Sequence, residues 1–184
     1  MSLSIPNYIT LIRIFLVPFF FGFLVYYNGS HLHFRLIAFF IFLVAIATDA
    51  IDGAIARNFH KQTELGTFLD PFADKLLLLS GFLGITISGF MNLKPPIWVV
   101  IVVVFRDLFI VCGLVIIFLT TGRIRIRPNL FGKLTTFFQM LTIVFVLANW
   151  GHAYLIWYAA AVLTITSALS YLAHGIKVLN ALPD

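Results

Sequence analysis

Charge is what this sequence has least of. Only 10% of its 184 residues are Asp, Glu, Lys or Arg, against about 25% in a water-soluble domain. Hydrophobic residues make up 61%. That balance excludes an ordinary soluble globule and makes a bilayer the expected solvent. Cysteine is almost absent. Cys112 stands alone in an apolar run, which excludes an intramolecular disulfide and any multi-cysteine metal centre and leaves it as a small buried packing residue. Internal repeats, low-complexity tracts and linkers are missing too, so residues 1–184 read as one domain. Acids number only seven, so where they stand is informative.

What is present is a series of apolar runs. Six spans are predicted: Tyr8–Tyr27, broken by Pro18; Phe34–Ala56; Thr67–Phe90; Pro96–Thr120; Phe131–Trp150; and Ala153–His174. A bilayer core about 30 Å thick needs roughly 20 apolar residues per helix, so six such helices with short loops consume the chain. The first run is not expected to be a cleaved leader: it is long, contains Pro18, and lacks a small-residue cleavage site. Tyr26, Tyr27, Trp98, Trp150 and Tyr154 gather at span ends, where interfacial aromatics belong.

The net charge of +5 does not point to nucleic acid, because the basic residues flank apolar runs as they do in membrane proteins. With the N-terminus in the cytoplasm, Arg13, Arg57, Lys61, Lys75, Arg123, Arg125, Arg127, Lys133 and Lys177 fall on or near the cytoplasmic side. Only Arg35 and Lys94 fall outside, and Arg106 lies within a span. The bias predicts both termini inside.

Four of the acids, Asp49, Asp52, Asp70 and Asp74, occupy the second and third spans. A carboxylate at a helix centre costs about 2.5–3.5 kcal/mol on insertion scales, so a group of four must meet cations, take up protons, or both. Asp49 and Asp52 are spaced i, i+3, and Asp70 and Asp74 i, i+4, so each pair shares one helix face. The short loop between the spans makes them an antiparallel hairpin that can bring the two acidic faces together. Four carboxylates form a hard oxygen site suited to Mg²⁺ or Mn²⁺. Gly53 beside Asp52, and Gly66 four residues before Asp70, allow close approach of a helix or a ligand. Intramembrane acids also mark ion pathways, but those should be spread across the bilayer, whereas these cluster at one end of one hairpin.

The stretch DAIDGAIARNFHKQTELGTFLDPFAD, Asp49 to Asp74, resembles the CDP-alcohol phosphotransferase signature D-x2-D-G-x2-A-R-x8-G-x3-D-x3-D at every fixed position. The opening IPNYITLIRIFLVP, with Asn7, Thr10 and Arg13, and the run DPFADKLL are similar to phosphatidylglycerophosphate synthases of that family. The resemblance implies an all-α integral membrane fold of six transmembrane helices, usually a homodimer, with its polar cavity open to the cytoplasm of a bacterial inner membrane. It implies that Asp49, Asp52, Asp70 and Asp74 hold two metal ions, with Asp74 also the general base. Gly53, Arg57, Thr63 and Gly66 match positions that hold the CDP moiety, and Asn7 and Thr10 are expected near its phosphates. The implied reaction moves a phosphatidyl group from CDP-diacylglycerol to a glycerol-based alcohol and releases CMP.

The acceptor is narrowed by the remaining basic residues. Glycerol 3-phosphate needs a cationic pocket, for which Arg106, Arg123 and Lys133 are the candidates, with Arg125 and Arg127 beside them. A mid-span arginine is costly and normally faces a cavity or partner. Asp107 is next to it, although adjacent helix positions face different ways. Arg106-Asp107 replaces the Arg-Glu common in phosphatidylglycerophosphate synthases, and Thr135 stands where their GKxKT segment often has lysine. Both departures resemble cardiolipin synthases of the same superfamily, which use phosphatidylglycerol. The N-terminal half and the basic cluster favour glycerol 3-phosphate.

Overall fold

The computed structural model describes residues 5–29, 31–59, 64–89, 91–121 and 130–179, and within them the side chains of 8–29, 31–48, 69–89, 91–113, 115, 119 and 130–170. Six helices account for nearly all of it: α1 (Ile5–Tyr26), α2 (Leu32–Phe59), α3 (Glu64–Ile87), α4 (Ile97–Thr121), α5 (Leu130–Leu147) and α6 (Ala153–Leu179). All six predicted spans are therefore helices, with ends shifted by a few residues. Among the described residues, Tyr8–Tyr26, Leu130–Leu147 and Ala153–Ser170 are long and apolar enough to cross a membrane, and Leu32–Thr48 is a shorter apolar stretch. The acids fall on the other helices, with Asp49 and Asp52 on α2, Asp70 and Asp74 on α3, and Asp107 on α4.

Two expectations are corrected. Cys112, expected to be a buried packing residue, is exposed. Pro18 does not break α1, which runs unbroken from Ile5 to Tyr26 with the proline inside it. A proline removes one backbone donor, and within an apolar bundle neighbouring groups and small local adjustments re-satisfy the freed carbonyl. α3 likewise continues through Pro71.

α3 is the hub. It packs against α1, α4 and α5; α1 also lies on α2, and α6 joins α4 to α5. Two glycines let α3 come close. A Cβ at Gly84 would stand 2.7 Å from Leu24 Cδ1 and 2.9 Å from Leu24 Cβ, and one at Gly81 would stand 2.5 Å from Ile143 Cδ1. Around these contacts Phe20, Leu24, Phe42, Leu77, Leu78, Phe82, Ile143 and Val146 form the apolar core.

The turns that follow α1, α3 and α5 each contain a residue in the left-handed region: Gly29, Gly89 and Asn149, with φ of 78°, 63° and 56°. After α5 the geometry is a Schellman cap. The Trp150 amide donates to the Phe145 carbonyl at 3.0 Å, and the Asn149 amide to the Val146 carbonyl at 3.0 Å. The Trp150 ring then folds back onto Phe145, 4.6 Å between centroids. Trp98 stacks near Tyr158 across the starts of α4 and α6, and Arg35 lies 5.9 Å from the Tyr27 ring centroid. Tyr26, Tyr27, Trp98, Trp150 and Tyr154 stand at or beside helix ends.

Candidate active site

The acidic face of α3 meets α1. Thr10 and Arg13, three residues apart on α1, share one face. Thr10 Oγ1 donates to Asp70 Oδ1. Arg13 Nη1 donates to Asp74 Oδ1 at 2.9 Å. The i, i+3 pair of donors on α1 thus reads the i, i+4 pair of carboxylates on α3. Thr10 is fully buried, Arg13 is 1% exposed, and the Asp74 side chain keeps 24% of its surface open. The Asp74 carboxylate is thus held by a buried guanidinium while part of its surface stays exposed.

Thr10, expected near the phosphates of a bound nucleotide, donates its hydroxyl to Asp70. Arg13, read from the sequence only as a cytoplasmic-side charge and part of the opening motif, is an ion-pair partner of the last acid of the signature. The sequence held one signal for this: its spacing from Thr10.

The other members of the signature are placed less completely. Asp49, Asp52, Gly53 and Arg57 stand on α2 and Gly66 on α3, with side chains outside those described, as is that of Asn7 on α1. Thr63, Arg123, Arg125 and Arg127 lie outside the described residues. Among the described residues no group of three or more His, Cys, Asp or Glu is gathered. What can be tested is the half-site on α3. Asp70 and Asp74 present hard carboxylate oxygens one turn apart, the donor type that Mg²⁺ and Mn²⁺ require, and this half-site fits such ions.

A second polar cluster lies on the other side of α3. Lys75, next to Asp74, donates to Asp107 Oδ1 on α4 at 2.9 Å and to Thr136 Oγ1 on α5 at 3.4 Å. Arg106 Nη1 donates to the same Asp107 oxygen at 2.8 Å, and its Nη2 to Ser167 Oγ on α6 at 2.9 Å. Asp107 is fully buried, and Lys75 and Arg106 nearly so. The adjacent pair Arg106 and Asp107 does meet, because the long arginine side chain folds back to its neighbour. Sequence reasoning missed Lys75, counting it as a positive-inside charge.

Lys133, at the start of α5, is exposed. Thr135 is buried and donates to the carbonyls of Phe131 and Leu163, so it serves the α5–α6 contact.

Comparison with known proteins identifies the family. The family model described as CDP-alcohol phosphatidyltransferase matches residues 3–168. The chain is 35% identical over 180 residues to a probable phosphatidylglycerophosphate synthase of Mycobacterium tuberculosis, covering 95% of this chain and 82% of that one. It is 31% identical to the CDP-diacylglycerol–glycerol-3-phosphate 3-phosphatidyltransferase of Bacillus subtilis, covering 96% and 97%. It is 32% identical to a probable CMP-forming cardiolipin synthase of Drosophila melanogaster, covering 92% of this chain but 56% of that one. With the paired acids of α3 seated on α1 and the family match running through five helices and most of the sixth, this chain belongs to the CDP-alcohol phosphatidyltransferase family.

Proposed function

We propose that this protein transfers a phosphatidyl group from CDP-diacylglycerol to glycerol 3-phosphate, giving phosphatidylglycerophosphate and CMP. The observation that carries the proposal is the pairing of Thr10 with Asp70 and Arg13 with Asp74, which sets the last two acids of the signature in fixed positions on one face. The names of the Mycobacterium and Bacillus relatives support the acceptor.

In this reading the six helices cross the bilayer with both termini and the acidic hairpin at the cytoplasmic side, and 1–184 is one domain acting as a homodimer. Asp49, Asp52, Asp70 and Asp74 would hold two Mg²⁺ or Mn²⁺ ions. Such a pair, when bound, neutralises charge on the attacking and leaving oxygens of a phosphoryl transfer. The remaining work belongs to side chains. Gly53, Arg57, Thr63 and Gly66 hold the CDP portion, and Asn7 and Thr10 lie near its phosphates. Asp74, oriented by Arg13, takes the proton from the acceptor hydroxyl. The hydroxyl oxygen bonds to the lipid-bearing phosphorus, and the bond from that phosphorus to CMP breaks. Lys133 and Arg123 meet the phosphate of the acceptor. Arg106 serves that end of the site through Asp107 and Ser167, with which its guanidinium is engaged.

The test is incubation of purified protein with CDP-diacylglycerol, Mg²⁺ and one acceptor at a time, with lipid products read by mass. Glycerol 3-phosphate should yield phosphatidylglycerophosphate with equimolar CMP. Turnover with phosphatidylglycerol alone would make the protein a cardiolipin synthase, and no CMP with either acceptor would refute the reaction class.

A further inference from the structure

We propose that Lys75 and Asp107 are positioning residues, forming with Arg106 a buried ionic strut that holds Asp74 at working distance from the acceptor-binding end of α5. The inference rests on the reading of Asp74 as the base.

Consecutive residues on a helix point about 100° apart. Asp74 is tied to α1 by Arg13, and Lys75 is tied to α4 and α5 by Asp107 and Thr136. α3 is therefore pinned from two sides at one point along its length. Rotating or sliding it to relieve one tether strains the other. Asp107 also collects Arg106, whose other nitrogen reaches Ser167, so one carboxylate oxygen joins α3 to α4, with α5 linked to it through Lys75 and Thr136 and α6 through Arg106 and Ser167. Thr136 is three residues from Lys133, on the same side of α5. The cluster thus connects the proposed base to the helix that carries the proposed acceptor contact.

The charges argue against a role in packing alone. Two cations and one anion are buried here, and well-packed apolar residues of similar volume would often hold helices together as well or better. An ionic cluster is favoured where orientation has to be specified, because its hydrogen bonds have direction and hydrophobic contacts do not. Position matters for this chemistry: a displacement of about 1 Å at a reacting group can cost on the order of 10²-fold in rate.

The experiment compares Lys75→Met, Lys75→Arg, Asp107→Asn and Asp107→Glu with wild type in the full chain, measuring kcat, KM for CDP-diacylglycerol and glycerol 3-phosphate, and Mn²⁺ affinity by electron paramagnetic resonance. Lys75→Met leaves a neutral Arg106–Asp107 pair. It is expected to lower kcat about 10–100-fold while both KM values and Mn²⁺ affinity stay within about threefold. Asp107→Glu should retain most of the rate. Lys75→Met combined with Asp107→Asn should be no slower than the worse single variant, since the residues act as one unit. A Lys75→Met protein with wild-type kcat, or one whose KM for glycerol 3-phosphate rises with kcat intact, overturns the proposal, the second outcome making Lys75 a direct acceptor contact. If Asp107→Asn does not fold, the Lys75 variants and Asp107→Glu decide the matter. Wild type inactive with every acceptor would instead defeat the reaction assigned to the protein.

Discussion

Arg13 on α1 and Asp74 on α3 form an ion pair 2.9 Å long in which the guanidinium is almost wholly buried and the carboxylate is open on one side. The arginine supplies a fixed, directional donor to a side chain that keeps part of its surface exposed. Removing it should leave Asp74 without its orientation. Arg13→Ala is expected to reduce CMP release about 10²-fold or more. Arg13→Lys should recover only part of the loss, because an ammonium lacks the planar fork of the guanidinium. Steady-state assays with CDP-diacylglycerol check both, and equal activity of Ala and wild type would remove Arg13 from the site.

Asp74→Asn keeps the shape of the side chain and can still meet Arg13 through its carbonyl oxygen, but it cannot accept the proton of an attacking hydroxyl. The expected loss in kcat is about 10²–10⁴-fold, the usual contribution of a general base. Unchanged CMP release would withdraw the base assignment while leaving the family membership intact.

Chelation should stop turnover, and Mg²⁺ or Mn²⁺ should restore it. Ion binding also stabilises whatever state binds it, by about 2.7 kcal/mol at a hundredfold excess over Kd. A thermal melt in detergent is expected to rise on adding Mg²⁺. The rise should vanish in an Asp70→Asn, Asp74→Asn double variant, and a shift that persists there would place the ions elsewhere.

The close approach of α3 to α1 predicts a stability effect independent of activity. A methyl at Gly84 meets the Cβ of Leu24 as well as its Cδ1, and a Cβ cannot swing aside as the end of a side chain can. Gly84→Ala should cost about 1–3 kcal/mol through overpacking. The melting midpoint reads the loss, and an unchanged midpoint would show that α3 and α1 can separate at no cost.

At the α5 cap, Asn149 holds a left-handed φ of 56°. Asn149→Gly is expected to be neutral or slightly stabilising, since glycine adopts that conformation without a Cβ clash. Asn149→Val should destabilise by about 1–2 kcal/mol, measured in the same melt.

The number and placement of the helices were legible in the sequence because each is a long apolar run bounded by polar or turn-forming residues, a pattern that helices alone satisfy at that length. The spacing of Asp70 and Asp74 likewise placed them on a common face before any coordinates, since helical periodicity is a local property. Pro18 misled as a break because a proline's effect depends on what surrounds the freed carbonyl, which lies outside the local sequence.

The partners of those acids were not legible. Arg13 and Lys75 read in the sequence as ordinary charges flanking apolar runs, and nothing in either segment says that one meets Asp74 and the other Asp107, 61 and 32 residues away. Ion pairing between distant segments is set by how helices pack, and here that packing is set by small residues such as Gly81 and Gly84 that let α3 approach α5 and α1. The sequence by itself determined a bundle of apolar helices with a misplaced set of carboxylates. Only the tertiary structure decided which cations hold them, because that choice depends on the rotation and depth of each helix against its neighbours.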